Sequence, residues 1–178
     1  MRCFFGFLLI QLLTVTAFAQ RYKVTDEGSS IKFRIKNFGI ETGGSFTGLE
    51  GNISFDPNNI LKDSIDLSID ANSINTDNNM RDNHLRKDEY LDVQHYPRIR
   101  FVSSSVAVDK NAHFTATGQL TMKGTTKEVS IPFTAVPKDS GYIFTGEFKL
   151  NRKDYKVGGS GPISNALTVQ FTVFARRQ

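Results

Sequence analysis

The sequence has a single cysteine, Cys3, no tryptophan, and only one long apolar run, residues 3–18. That run is shorter than the ~20 apolar residues that a membrane-spanning helix needs. Cys3 lies at the start of the run, whereas a lipoprotein signal carries its cysteine at the end. These features argue against both a membrane anchor and a lipoprotein.

Residues 1–19 have the order of a Sec-type signal peptide, with Arg2 before the apolar run and an Ala-Phe-Ala cleavage signal at 17–19. We expect cleavage before Gln20, which leaves one domain, residues 20–178. The mature chain then has no thiol, so disulfides and thiolate chemistry are excluded. The pattern predicts a periplasmic protein with no stable membrane insertion after signal cleavage.

A large charge of either sign is also lacking. Removal of residues 1–19 takes away one of 22 basic residues and none of 18 acidic ones, which leaves a formal charge of +3. The chain has no basic run with interleaved aromatic residues, so nothing in it indicates a nucleic-acid partner.

Motifs for catalysis, metals and cofactors are missing as well. No serine lies in a nucleophile-elbow pattern. The histidines His84, His95 and His113 are spaced by eleven and eighteen residues, which matches no ligand motif such as H-x-x-x-H. The glycine-rich stretch 158–162 lacks the lysine and the following helix of a phosphate-binding loop. We therefore predict no metal and no cofactor.

What the sequence has in quantity is alternation of apolar and polar residues, the signal of half-buried strands. It recurs in about eight stretches separated by turn signals, among them IKFRIK at 31–36 and LTVQFTV at 167–173. One stretch changes parity between Phe46 and Leu49, which predicts a β-bulge near Gly48. Eight antiparallel strands in one domain predict an all-β barrel or sandwich.

The same alternation occurs in outer-membrane barrels, turned inside out. That interpretation would point Lys32, Arg34 and Lys36 into a narrow lumen, and the chain has no aromatic girdle. An apolar interior fits better. Because Phe, Ile, Leu and Val offer no polar groups to a sugar or nucleotide, any ligand should be mostly hydrocarbon.

Residues 81–97, RDNHLRKDEYLDVQHYP, break the alternation. Apolar residues at helical spacing predict one short helical insertion near residues 78–92, capped by Thr76 or Asp77 and ended before Pro97. Charged residues this dense are usually the solvated face of a helix.

The same segment supports two functional alternatives. In the first, the protein is an exported hydrolase or other enzyme acting on a lipid-like substrate, with His84 as base and Asp82 orienting it. In the second, the planar guanidinium of Arg81 binds a phosphate or carboxylate. Arg81 and Asp82 could equally tie the helix to the barrel, and the residues alone do not decide.

Several motifs resemble the signature of the YceI-like family. They are S-I-N-T at 73–76, R-D-x-H-L at 81–85, Y-L-D-V at 90–93, Y-P-x-I-x-F at 96–101, G-x-L-T-x-K-G-x-T-K at 118–127 and N-R-x-D-Y at 151–155. The resemblance covers nearly the whole mature chain. Asn75 and Leu91 depart from the family pattern, in which an aspartate and a second aromatic residue are common.

The resemblance implies a lipocalin-like antiparallel eight-stranded barrel that binds a long isoprenoid lipid, such as a polyprenyl diphosphate or an isoprenoid quinone. No established enzyme activity comes with it. Headgroup candidates at the mouth of the barrel are Arg81, Asp82, His84, Lys123 and Arg152. Whether the chain forms a homodimer is left open, and a barrel with a filled core that only binds a partner protein is a third alternative.

The alternation also predicts which side chains face the barrel interior and contact such a ligand. The predicted interior residues are Ile31, Phe33, Ile35, Ile65, Leu67, Ile69, Phe101, Leu120, Ile131, Phe133, Val169 and Phe171.

Overall fold

The computed structural model describes residues 20–178, so the predicted signal peptide lies outside the described residues. The strands are β1 (Gln20–Val24), β2 (Ser30–Asn37), β3 (Ile40–Phe46), β4 (Glu50–Phe55), β5 (Ser64–Asp70), β6 (Arg98–Val108), β7 (Phe114–Met122), β8 (Thr125–Lys138), β9 (Gly141–Asn151) and β10 (Ile163–Arg177), and the helix is α1 (Asn79–Leu85). Within this part of the chain, no helix is long and apolar enough to cross a membrane.

Hydrogen bonds join the strands into one antiparallel sheet that closes on itself. The order is β1-β4-β5-β6-β7-β8-β9-β10-β2-β3, and β10 pairs with β1 as well. The double pairing runs along the length of β10, with Thr172 opposite Ser30 of β2 and Ala175 opposite Val24 of β1. β1 and β2 follow one another along a single position of the ring, and so do β3 and β4. The ten strands therefore occupy eight positions, and the predicted lipocalin-like eight-stranded barrel is confirmed.

The interruption between β3 and β4 lies where the sequence predicts a bulge. Gly48 has a φ of 70°, and a Cβ added there would lie 2.7 Å from the Cβ of Asp70. The carboxylate of Asp26 accepts the N–H groups of Gly48 and Leu49, each at 2.8 Å. Glycine adopts this conformation and permits this close approach without strain.

Helix α1 has a different cap from the predicted one. Asn78, and not Thr76 or Asp77, caps the first turn, and its side-chain oxygen accepts the N–H of Arg81 at 3.0 Å. Asp77 has a φ of 58°, and the Thr76 hydroxyl is engaged by other side chains. The helix ends at Leu85, and residues 86–91 of the predicted insertion form turns instead.

The two ends of the barrel differ in construction. One end, here called the helical end, carries α1, the β2–β3 and β7–β8 turns, and residues 152–162. The opposite end is filled by aromatic rings whose neighbouring centroids lie 5.1–6.0 Å apart. These rings belong to Tyr22, Phe55, Phe114, Phe133, Tyr142 and Phe144. Edge-to-face and stacked aromatic contacts of this kind make that end a solid core.

Candidate ligand-binding cavity

A cavity of about 290 Å³ lies in the barrel, bounded by the rings of Phe133 and Phe144 and by Leu85 and Leu91 of the helical end. The side chains predicted to face the interior all line it: Ile31, Phe33, Ile35, Ile65, Leu67, Ile69, Phe101, Leu120, Ile131, Phe133, Val169 and Phe171. The helical half of the interior is therefore hollow, unlike the filled core of the scaffold alternative.

Polar side chains are few in the lining and are concentrated toward the helical end. They are Lys32, Asn37, Thr42, Ser68, Thr76, Arg81, Arg152 and the phenol of Tyr90. Most of the lining is hydrocarbon, so the cavity suits an apolar body with polar contacts at one end.

Of the two arginines in the lining, Arg81 has the guanidinium that forms fewer hydrogen bonds to the protein. Its Nε donates to the hydroxyl of Thr76 at 2.8 Å, and its Nη2 donates to the carbonyl of the same residue. The Thr76 hydroxyl in turn donates to the buried carboxylate of Asp82, which also accepts the Thr76 N–H at 2.9 Å. These bonds fix the arginine in position.

Two features leave Arg81 available to an anion. It forms no ion pair with a carboxylate among residues 20–178. Within the same residues its Nη1 has no hydrogen-bond partner. A guanidinium held by two of its nitrogens can use the third toward phosphate, carboxylate or a carbonyl oxygen.

Arg152 lines the cavity but has a different environment. It is 6 % exposed. Its guanidinium donates to the carbonyls of Val157, Gly159, Ile163 and Ser164 at 2.8–3.3 Å. These bonds use every guanidinium nitrogen, so Arg152 holds the segment before β10 in place.

Lys123 is not part of the lining. Its Nζ donates to the carbonyls of Glu89 and Lys156, at 3.0 and 2.9 Å. The residue thereby joins the β7–β8 turn to the turns after α1 and to the 152–162 segment, and holds the cover of the helical end together.

Asp82 and His84 are not arranged as the enzyme alternative requires. The Asp82 carboxylate bonds to Thr76, and the His84 ring lies against Tyr90 with centroids 4.8 Å apart. Among residues 20–178, no hydrogen bond joins the two side chains, and neither lines the cavity. In the same range no three His, Cys, Asp or Glu side chains are grouped as metal ligands.

The match to known sequences covers almost all of this barrel. A family model described as the YceI-like domain matches residues 22–175. The chain belongs to the YceI-like family. Protein YceI from Salmonella arizonae is 32 % identical over 182 aligned residues, which cover 94 % of this chain and 94 % of that protein. The family membership predicted from the sequence motifs is thus confirmed.

Solved structures share the YceI-like fold. BcnA from Burkholderia cenocepacia superposes with a TM-score of 0.81 at 24 % identity, covering 85 % of this chain and 98 % of BcnA. A polyisoprenoid binding domain from Saccharophagus degradans, implicated in plant cell wall breakdown, gives 0.70 at 17 % identity, covering 88 % and 98 %. At these identities the likeness establishes a common architecture.

The YceI-like cavity has more lining residues than the sequence predicts. Some lie in strands where the same alternation could have identified them, as in YIFTGEFKL of β9 with Phe148 and Leu150. Others, including Ile74, Tyr90 and Val157, lie in irregular segments of the helical end. No periodic pattern exists in such segments, so alternation gives no signal for them.

Proposed function

We propose that this YceI-like protein is an exported, periplasmic carrier of an isoprenoid lipid, and that it acts by binding and not by catalysis. The observation that carries the proposal is a closed barrel with a hollow half whose lining is almost wholly hydrocarbon. Such a cavity accepts a hydrocarbon tail and offers too few polar groups to hold a sugar or a nucleotide. The architecture shared with a polyisoprenoid binding domain agrees with this class of ligand.

Affinity in this proposal comes from burial of the tail. Each CH₂ group removed from water contributes about 0.8 kcal/mol. Association opposes binding with roughly 4–15 kcal/mol of lost freedom. Because one isoprene unit adds five carbons, a tail of several units can offset that cost.

Selection among headgroups is assigned to Arg81. It lines the cavity, lies at the helical end, and has neither a carboxylate partner among the described residues nor a partner for Nη1. A diphosphate or a quinone oxygen could accept its N–H groups. The same role is not proposed for Arg152 and Lys123, whose donors meet backbone carbonyls.

Titration of the purified protein with prenyl alcohols of increasing length tests how much the tail contributes to affinity. Affinity should rise by about tenfold or more per isoprene unit until the cavity is full, and then level off. A straight-chain diol with polar groups at both ends is the control, and it should bind weakly because one end must be buried unpaired. Affinity that does not change with tail length would contradict the proposal.

A further inference from the structure

The barrel wall has a gap at the helical end. β3 is the last strand in the order, and its outer edge is paired only at Ser45, whose N–H and C=O exchange hydrogen bonds with Asn75 at 2.8 and 3.0 Å. From Gly44 to the β2–β3 turn, no strand among residues 20–178 covers that edge. Thr42 of β3 lines the cavity, and so does Arg81 of α1, which bonds to Thr76 next to the Ser45–Asn75 pair.

Three large apolar side chains of the β2–β3 turn, the start of β3 and helix α1 are mostly exposed to solvent. Phe38 is 77 % exposed, Ile40 is 71 % exposed and Met80 is 84 % exposed. We call these three residues the portal lips. Phe38 follows the cavity-lining Asn37, and Met80 precedes the cavity-lining Arg81, so both lie next to the polar part of the lining in the chain.

We propose that the portal lips dock on a lipid membrane and that the isoprenoid enters the barrel sideways, between β3 and α1. This inference rests on the proposed function. An isoprenoid tail that crosses water exposes its CH₂ groups, at about 0.8 kcal/mol each. Lips inserted among lipid headgroups would let the tail pass from the bilayer into the cavity without that exposure.

Charges next to the portal lips indicate which lipid surface fits. The charged residues within three positions of a lip are the basic Lys36 and Arg81 and the acidic Glu41, Asp77 and Asp82. A surface without excess positive charge gains little from anionic lipids. Docking should therefore occur on zwitterionic bilayers, and salt should change it little.

A second copy of the chain is the competing occupant, because an open strand edge can pair with another one. Here the open edge is short, since it ends at the Ser45–Asn75 pair, and it carries Glu41 and two glycines. Antiparallel pairing of two such edges would place two copies of Glu41 on one short ladder. Like charges at close range oppose that pairing, which favours the lipid surface.

The test is sedimentation with phosphatidylcholine vesicles that contain a fluorescent prenyl alcohol. The variant Phe38→Ser/Ile40→Ser/Met80→Ser should bind the vesicles about tenfold or more weakly, and it should extract the prenyl alcohol correspondingly more slowly. The matched control is Leu61→Ser. Leu61 is 92 % exposed at the opposite end, so that variant should behave as the native protein does.

Two further measurements separate the outcomes. All three proteins should take up the prenyl alcohol equally from cyclodextrin, which shows that the lips act at the membrane and not in the cavity. Equal vesicle binding by the triple variant, or an equal loss in Leu61→Ser, overturns the docking proposal. The docking proposal is also overturned if light scattering shows that the native protein is a dimer and the triple variant is not. Failure of the native protein to load from cyclodextrin would instead refute the carrier function.

Discussion

At the scale of single residues, the cations of the helical end differ in what they donate to. Arg152 and Lys123 donate to backbone carbonyls and thereby hold chain segments in place. Arg86 does the same, through the carbonyls of Asn72 and Ile74, both at 2.9 Å. Arg81 is held by Thr76 alone and lines the cavity, so its charge is available to a ligand.

The substitution Arg81→Ala should separate ligands by charge. A charge-assisted contact contributes about 1.5–3 kcal/mol, so affinity for a prenyl diphosphate should fall about tenfold or more. The matching prenyl alcohol should lose little. Arg86→Ala is the control, because it removes an anchor of the same helix and should weaken both ligands alike. Equal losses for both ligands in Arg81→Ala would remove the headgroup role.

Asp63 should make stability depend on pH at the end opposite the helix. It is 9 % exposed, one oxygen accepts the Asp56 N–H at 2.8 Å, and the other is buried without a partner among the described residues. Burial, with a smaller contribution from the Asp56 charge, raises the Asp63 pKa from 3.8 to about 6. The folded chain therefore binds a proton on the Asp63 carboxylate more tightly than the unfolded chain does. Above pH 6 the buried carboxylate is ionised and lowers the free energy of unfolding. Acidification from pH 6 toward pH 4 protonates it and removes this loss of stability.

The corresponding variant is Asp63→Asn. Above pH 6 it should raise the free energy of unfolding by about 1–3 kcal/mol, and the gain should vanish near pH 4. Urea unfolding at several pH values measures the difference. Asp109→Asn is the control and should change the free energy of unfolding in the opposite direction. The N–H groups of His113 and Asn111 donate to the Asp109 carboxylate and hold its pKa below the ordinary value. A gain in Asp63→Asn that is independent of pH would refute the assignment.

At the scale of elements, β2 shows how one strand serves both the cavity and the surface. Ile31, Phe33 and Ile35 are half-buried and line the cavity, while Lys32 and Arg34 between them are exposed, and only Lys32 of these two also borders the cavity. Phe33 packs against Phe46 with ring centroids 5.7 Å apart. Arg34 reaches Glu147 at 3.4 Å on the outside of the barrel.

Substitutions at neighbouring positions of β2 should therefore differ strongly. Phe33→Asp puts an unpaired charge among apolar side chains and should lower the free energy of unfolding by about 3 kcal/mol or more. Arg34→Gln removes only exposed ion pairs and should change it by less than about 1 kcal/mol. Thermal and urea unfolding provide the values. Similar damage from the two variants would mean that β2 does not separate an apolar interior from solvent.

Sequence patterns predict the elements of this fold unevenly. Alternation identifies the half-buried strands because each side chain's face follows from its position alone. It gives little for β1, where only Tyr22 and Val24 of five residues are buried. The predicted cap of α1 is wrong because Asn78 competes with Thr76, and the Thr76 hydroxyl is taken up by the side chains of Arg81 and Asp82, five and six residues later. The capping preference of a single residue contains no information about these side-chain contacts.

At the scale of the whole molecule, the barrel is half filled and half hollow. Aromatic rings pack the opposite end, and the cavity occupies the helical end. Strand alternation predicts that the side chains facing inward are apolar in both halves of the barrel. It cannot tell a filled half from a hollow one, because packing depends on which rings meet across the barrel. Stability therefore comes mainly from the filled half, and ligand binding from the hollow half.

Export should leave a defined N-terminus. The Ala-Phe-Ala signal at 17–19 predicts that the secreted protein begins at Gln20. Intact-mass spectrometry of the periplasmic fraction measures this directly. Replacing Ala19 with Phe should block processing and leave the precursor. A native secreted chain that retains Met1 would contradict the signal-peptide assignment.

The most direct test of the carrier function is organic extraction of the protein, purified from its own host without detergent, followed by mass spectrometry. The proposed function predicts an isoprenoid lipid, branched every fourth carbon, at close to one molecule per chain. Phe33→Asp, if it folds, should lose that lipid. An extract without stoichiometric lipid, or one whose stoichiometric ligand is water-soluble, would contradict the proposal.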